Sequence, residues 1–439
     1  MHSLETQRRP RCRDLLLPLL LTLLLAVSGC TARPGISADE APHHPVTLRV
    51  PQQFPTIQRA VDVARSGDLV LVSSGVYRES VTISTPRVTL RGVSRSGTVI
   101  DGQFQRSNGI TVTGAGSVVE DLTVRGELAN GVLFTGVTDA DLQTRGAGGE
   151  AYDPLDTVKF PPLQGFRASY VTSYDNALYG IYAFDASQGV IEHSYASGQA
   201  DSGIYVGQCR PCQTLVHDDT VEHNAVGVEI TNASQGLTVL GNHISHNRVG
   251  LTVDSNNLEA LGPQHEALIV GNVISDNNDA QSPEQADGGF GIGVGVGGGT
   301  RDLFERNLVT GNQAVGIVLS DIQGYPVGGV TVRDNRVAGN GADLVLATVG
   351  TRGNCFVDNG EATTSPAHLA SLARCGAANQ PLAAPGTVPA VQAPPGVSFE
   401  QLPAPPAQPQ MPQAATASAR PAVGLPGRVE TDGYPLPTG

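Results

Sequence analysis

GIYVGQCRPCQTLVHDDTVEHNAVGVEITNASQGLTVLGNHISHNRVGLTVD (residues 203–254) holds three copies of one phrase: a glycine, then a β-branched residue or leucine, then alternation. The glycines are Gly203, Gly227 and Gly250, 24 and 23 residues apart. Between them lie a second apolar strand and an asparagine turn, as in GNHISHN. There is no room for a helix. Strands this short cannot enclose a core alone, so the unit must stack on its neighbours. Each coil then lies about 4.8 Å above the last.

The same phrase recurs outward in both directions, at Gly109, Gly131, Gly180, Gly291 and Gly316. The clean steps are 22, 23, 24, 23 and 25 residues. The long steps, 49 and 41, each fit two coils or one coil with an insertion. Upstream, Pro55 suits a first helical turn, and Ile57, Val61 and Ala64 then share one face up to a break at Ser66-Gly67-Asp68. GVGVGG (Gly293–Gly298) matches a nucleotide-binding glycine pattern but sits in a solenoid strand with no amphipathic helix after it.

The pattern over residues 47–376, including AVDVARSGDLVLVSSGVYRESVTI…VTLRG…TVIDG, resembles the right-handed parallel β-helix family, the pectin lyase-like solenoids. The resemblance implies an all-β single solenoid whose initial helix caps the core. It also implies a polysaccharide as partner. The family spans lyases, hydrolases, epimerases, esterases and non-enzymes, so fold alone does not choose the activity.

Counting from each repeat glycine, the residues one and three after it are apolar and should point inward, and the residue two after it outward. That outward column reads Tyr182, Tyr205, Glu229, Thr252. Taking Val158 and Phe160 as inward places Lys159, the only lysine, beneath Tyr182. Asp185 and Asp201 fall at the edges, and Tyr179 joins the tyrosine concentration. Acting on a uronic acid needs a neutraliser for the carboxylate, a base and an acid. Lys159, Tyr182 and Asp185 or Asp201 are the expected catalytic set, with Tyr179, Tyr205 and Glu229 binding substrate. YGIYAF is similar to the Tyr-Gly-(Phe/Ile)-Asp-Pro-His signature of alginate epimerases through Tyr179, Gly180 and Ile181. Tyr182, Ala183 and Phe184 stand where its Asp, Pro and His would be. An inverting hydrolase would draw on Asp185, Asp201 and Glu229. Ca²⁺ is the cofactor to expect if the substrate is an acidic polysaccharide. Two alternatives remain: a non-catalytic envelope scaffold or adhesion module, and a metal accessory protein. Similar solenoids handle copper, and His223 and His246, with His193 and His243 nearby, could stack on adjacent coils.

The ends carry different information. Residues 1–29 read as a lipoprotein signal peptide, with Arg8, Arg9, Arg11 and Arg13 before the apolar run Leu15–Val27. Val27-Ser28-Gly29-Cys30 resembles a lipobox, making Cys30 the expected lipidation site and residues 30–46 a tether. The chain is thus expected to be exported and held by lipid on the outer face of the cytoplasmic membrane or the cell surface, as a monomer. Without the signal, 23 basic residues face 39 acidic ones, a net charge of −16, which argues against nucleic acid. The four other cysteines of the exported chain read as two disulfides, Cys209 with Cys212 and Cys355 with Cys375. Residues 377–439 are Pro/Ala-rich without apolar periodicity, a disordered or polyproline-like tail.

Overall fold

The computed structural model describes residues 43–143, 155–285, 288–419 and 431–438. The signal segment and Cys30 lie outside them. Among the described residues, two parallel sheets of twenty and eleven strands wind around one continuous apolar core. A representative coil runs through Leu215–His217, Thr220–Glu222 and Val226–Ala233. The first two segments belong to the larger sheet and the third to the smaller. Bends occur at Asp218 and His223, which have φ of 55° and 60°.

The inward columns behave as the alternation requires. Val132, Ile181, Ile204, Val228 and Leu251 stack one above another, as do Phe134, Ala183, Val206, Ile230 and Val253, and all are fully buried. The turn asparagines form an interior ladder. Asn247 Nδ2 donates to Val221 O, Ser245 O and Asn277 Oδ1, while Asn247 Oδ1 accepts from the Asn224 backbone N–H and Nδ2. Main-chain groups at each bend are thereby satisfied inside the core, where leaving them unpaired would be costly.

This ladder explains the repeat glycine. A Cβ on Gly227 would lie 2.6 Å from Ile244 Cγ2 and 2.8 Å from Asn247 Nδ2. It also corrects the spacing. Leu251 pairs with Val294 and Val294 with Ile317, so the glycine equivalent to Gly250 is Gly293, not Gly291. A Cβ on Gly293 would lie 2.7 Å from Asn312 Nδ2, the same crowding as at Gly227. Ile181 likewise pairs with Val132, so each long step is one coil carrying an insertion.

Both ends of the core are closed. At one end the helix Ile57–Val63 buries Ile57, Ala60 and Val61. Thr56 caps it, and the Glu79 carboxylate accepts from the Ile57 and Gln58 amides, each at 3.0 Å. At the other end the helix Leu369–Leu372 buries Leu369 over the last coil. The Cys355–Cys375 disulfide ties that end down, and Cys209–Cys212 pins a turn. The Cys355→Ser, Cys375→Ser double variant is expected to lose about 3 kcal/mol of stability, the chain-entropy value for a loop of this size. A denaturant titration checks it, and unchanged midpoints would contradict it.

Among its described residues the tail has almost no regular secondary structure, in keeping with its composition, beyond the single turn Phe399–Gln401. Residues 394–418 nevertheless lie along the solenoid, contacting Arg248 at one end and Arg91 at the other. Met411 and Ala414 are buried there. Beyond it, Thr431 O and Tyr434 O accept from Arg306, and the Tyr434 hydroxyl donates to Asp218.

Candidate functional site

The outward column is present where the register places it, in consecutive coils: Tyr182 beside Tyr205, Tyr205 beside Glu229, Glu229 beside Thr252. Lys159 does not belong to it. The residue beside Tyr182 in the preceding coil is Leu133, on the strand Val132–Thr135. Lys159 instead occupies an exposed turn in the first insertion, where its backbone N–H donates to Asp156 Oδ1 and its ammonium lies 4.7 Å from the Phe160 ring centre. Val158, expected inside, is 91% exposed. The insertion breaks the alternation from which its register was extrapolated.

Around the column the rings form a cluster. Tyr179 and Tyr182 stack with centres 4.3 Å apart, and Tyr182 and Phe184 with centres 5.5 Å apart, both pairs 28° from parallel. Tyr205 meets Tyr182 edge-on and Tyr179 at a tilt. Tyr179, Tyr182 and Phe184 line one pocket together with Leu133, Asn130, Thr135 and Gln143. Although the column points outward, Tyr205 is 2% exposed.

Part of the cover comes from the second insertion, between the coils of Gly250 and Gly293. Its Glu259 accepts from the Tyr205 hydroxyl, and its Ala260 amide donates to Gln208 Oε1 at 2.9 Å. From a separate loop of the same coil, after the strands Leu268–Val270 and Val273–Ser275, Gln285 Nε2 donates to Asp201 Oδ1 at 2.8 Å. Ser202 joins the group by donating to Glu229 and, at 3.3 Å, to Asp201. Asp201 and Glu229 therefore do come together with the tyrosines.

Burial dominates the electrostatics. It pushes the Glu259 carboxyl up to about 8 and Asp254 up to about 7. Glu229 is raised well above the usual range by desolvation and then by the Asp201 charge. Tyr179 and Tyr205 are raised well above 10 by the same burial and by neighbouring carboxylates, so both stay neutral phenols. Asp185 stands apart, just past the end of its strand at φ 54°, buried and pushed up to about 7 by desolvation.

The histidine pair expected on adjacent coils is also present. The His223 and His246 ring centres are 5.8 Å apart, and His223 Nδ1 pairs with Asp279 Oδ2 at 2.9 Å. His193 is in ring contact with His217 and Tyr170, and His243 lies in a strand of the larger sheet. Among the described residues, no group of three or more His, Cys, Asp or Glu side chains could hold a metal ion.

Fold and site together define a parallel β-helix bearing an aromatic and carboxylic outer face. The family model for the right handed beta helix region matches residues 94–261 and 163–329, and the chain belongs to that family. No curated protein sequence matches the chain. Among solved structures it is similar to the A-module of mannuronan C-5 epimerase AlgE4 from Azotobacter vinelandii, at 17% identity over 70% of this chain and 90% of that one, with a TM-score of 0.49. It is also similar to the alginate lyase of Paenibacillus sp. str. FPU-7, at 15% identity over 71% and 99%, TM-score 0.39. A third is tailspike protein 2 of Escherichia coli O157:H7 bacteriophage CAB120, at 10% identity over 68% and 39%, TM-score 0.46.

Proposed function

We propose that the protein binds a polysaccharide on the outer face of the smaller sheet, as an exported module anchored through Cys30. The observation that carries this reading is the pocket where Tyr179, Tyr182 and Phe184 stand side by side next to the amides of Asn130 and Gln143. Phe184, the half-buried ring at the end of the stack, supplies apolar contact for a pyranose, backed by the buried Tyr182 and Tyr179, and the neutral amide of Gln143 supplies donors and acceptors for its hydroxyls.

Binding is favoured over catalysis by what surrounds the rings. Hydrolysis needs one carboxyl protonated and a second ionised. Among the described residues no carboxyl lines the ring pocket: Asp201, Glu229, Asp254 and Glu259 all lie outside it, with the Asp201 carboxylate engaged by Gln285 and Ser202. Elimination or epimerisation needs a cation on the uronate carboxylate, and Lys159 stands in a turn outside the column.

The test is affinity electrophoresis of the folded protein through a panel of neutral and acidic polysaccharides. Tyr182→Ala and Phe184→Ala should each weaken binding at least about tenfold, roughly 1.4 kcal/mol, while Lys159→Ala leaves it unchanged. Binding that survives both aromatic changes with the fold intact would overturn the site. Product formation that disappears with Glu259→Gln would overturn the non-catalytic reading. Mass spectrometry of the mature N-terminus for an acylated Cys30 tests the anchoring separately.

A further inference from the structure

The Pro-rich tail meets the solenoid in a pattern that has a chemical logic. Residues 394–412 contain seven prolines. Proline has no N–H, so such a segment offers the solvent carbonyl acceptors and few donors. The solenoid supplies the missing donors from arginines that are almost wholly buried with the tail in place: Arg91, Arg95 and Arg248 are 0%, 2% and 1% exposed.

Each guanidinium donates to a main-chain carbonyl of the tail. Arg248 reaches Pro394 O at 2.6 Å, Arg95 reaches Pro409 O at 2.8 Å, and Arg91 reaches Ala417 O and Ser418 O at 2.6 and 2.9 Å. Arg95 is held rigid for this by Thr172 Oγ1 and the carbonyls of Val171 and His193. Arg91 is held by Glu120, also fully buried. Where N–H groups of the segment face the solenoid, it answers with acceptors: Asp121 Oδ1 takes that of Met411 at 2.7 Å, Glu284 that of Gly396 and Ser282 O that of Val397, both at 3.3 Å. The Met411 side chain is 2% exposed. Between these anchors, residues 401–406 arch over Tyr195, Glu222 and His223, and Phe399 packs edge-on against Phe104.

We propose that this face of the solenoid is a recognition cleft for a proline-rich main chain, with residues 394–418 of the same chain as its resident ligand. Recognition reads backbone carbonyls through fixed guanidinium donors, with Met411 as the most deeply buried large side chain of the segment, Phe399 packing on Phe104, and Asp121 setting the register. The cleft is separate from the aromatic face and does not depend on the polysaccharide reading.

The test uses the full chain with a protease site placed within residues 388–391. These lie between Thr387, which bonds Ser365 on the terminal coil, and Pro394 at Arg248. After cutting, gel filtration should show the tail fragment co-eluting with a monomeric solenoid. A labelled synthetic peptide of residues 394–419 should then exchange into it. Met411→Asp in the peptide should weaken exchange at least about tenfold, because it places a charge in a dry contact; it leaves the solenoid itself untouched. Arg248→Met in the solenoid should weaken it as well. Release of the fragment on cutting would overturn the proposal, as would indifference to Met411→Asp. A dimer before the cut that becomes monomeric after it would overturn the assignment in cis, the tail then docking on a second copy.

Discussion

Raising the pH from 5 to 8 is expected to lower the stability of this protein steadily, the reverse of the usual acid sensitivity. Its buried carboxyls cause this. Desolvation pushes Asp175, Asp185, Asp254 and Asp302 up to about 7, and Glu127, Asp219 and Glu259 up to about 8. In the unfolded chain such groups titrate near 4. Between these limits the folded state holds protons that the unfolded state has released, so stability falls as pH rises. Each such group contributes a slope of up to about 1.4 kcal/mol per pH unit. His217 adds to the loss at the alkaline end: Asp218 and Glu192 raise it to about 9, so its contribution is complete below its unfolded value and disappears through 9. Glu192 opposes the trend only in acid. Hydrogen bonding to His217 and the Arg167 charge hold it near 2 against desolvation, so its contribution is lost as pH falls from the ordinary range toward 2. Denaturant midpoints at pH 5, 6.5 and 8 decide the matter, and a midpoint that rises across the series contradicts the account. Asp185→Asn, which imitates the protonated form, should flatten the dependence.

Asn247→Leu is expected to cost about 4 kcal/mol of folding stability, since at least two main-chain groups lose their partners at roughly 1–3 kcal/mol each and a branched side chain must fit where an amide lay flat. The groups stranded are the Asn224 backbone N–H and the Val221 carbonyl. Neither can turn to solvent, because both lie within the stack. A surface asparagine outside the ladders, such as Asn257, provides the comparison and should change stability by no more than about 0.5 kcal/mol. Equal thermal shifts for the two would mean that the ladder is not a stabilising element.

The column Tyr182–Tyr205–Glu229 was legible because strand alternation is strict once the glycine is located, and the glycine is forced by crowding at the asparagine. Legibility stops where the coil does. Alternation carried through the first insertion places Lys159 in the column, and the insertion does not obey alternation. Glu259 and Gln285 give no signal at all, since two loops that double back over earlier coils bring residues 54 and 84 positions apart into contact without any periodic mark. Gly291 was mistaken for Gly293 because GFGIGVGVGGG offers several glycines in alternate positions, and only pairing with Leu251 selects one. The docking of the tail was invisible for a related reason: its partners are main-chain carbonyls, which every residue has.

The asparagine ladder described above has ends, and both are acids. At the start, Glu127 occupies the ladder position before Asn176, its backbone N–H donating to Asn176 Oδ1. At the finish, Asn340 donates from both its N–H and its Nδ2 to Asp343 of its own coil, and Asp343 in turn accepts from Thr363. An array of like amide rungs, here asparagines with Gln199 among them, is in principle a growth surface, able to accept a further turn of the same kind from another molecule. Here the last rung folds back on itself and the first carries the wrong headgroup to pass the pattern on. This ladder thus has a definite length in the sense that a crystal does not: its first rung is overlain by the earlier coils and the helix Ile57–Val63, its last is closed by Asp343 and Thr363, and neither lies open to a further turn.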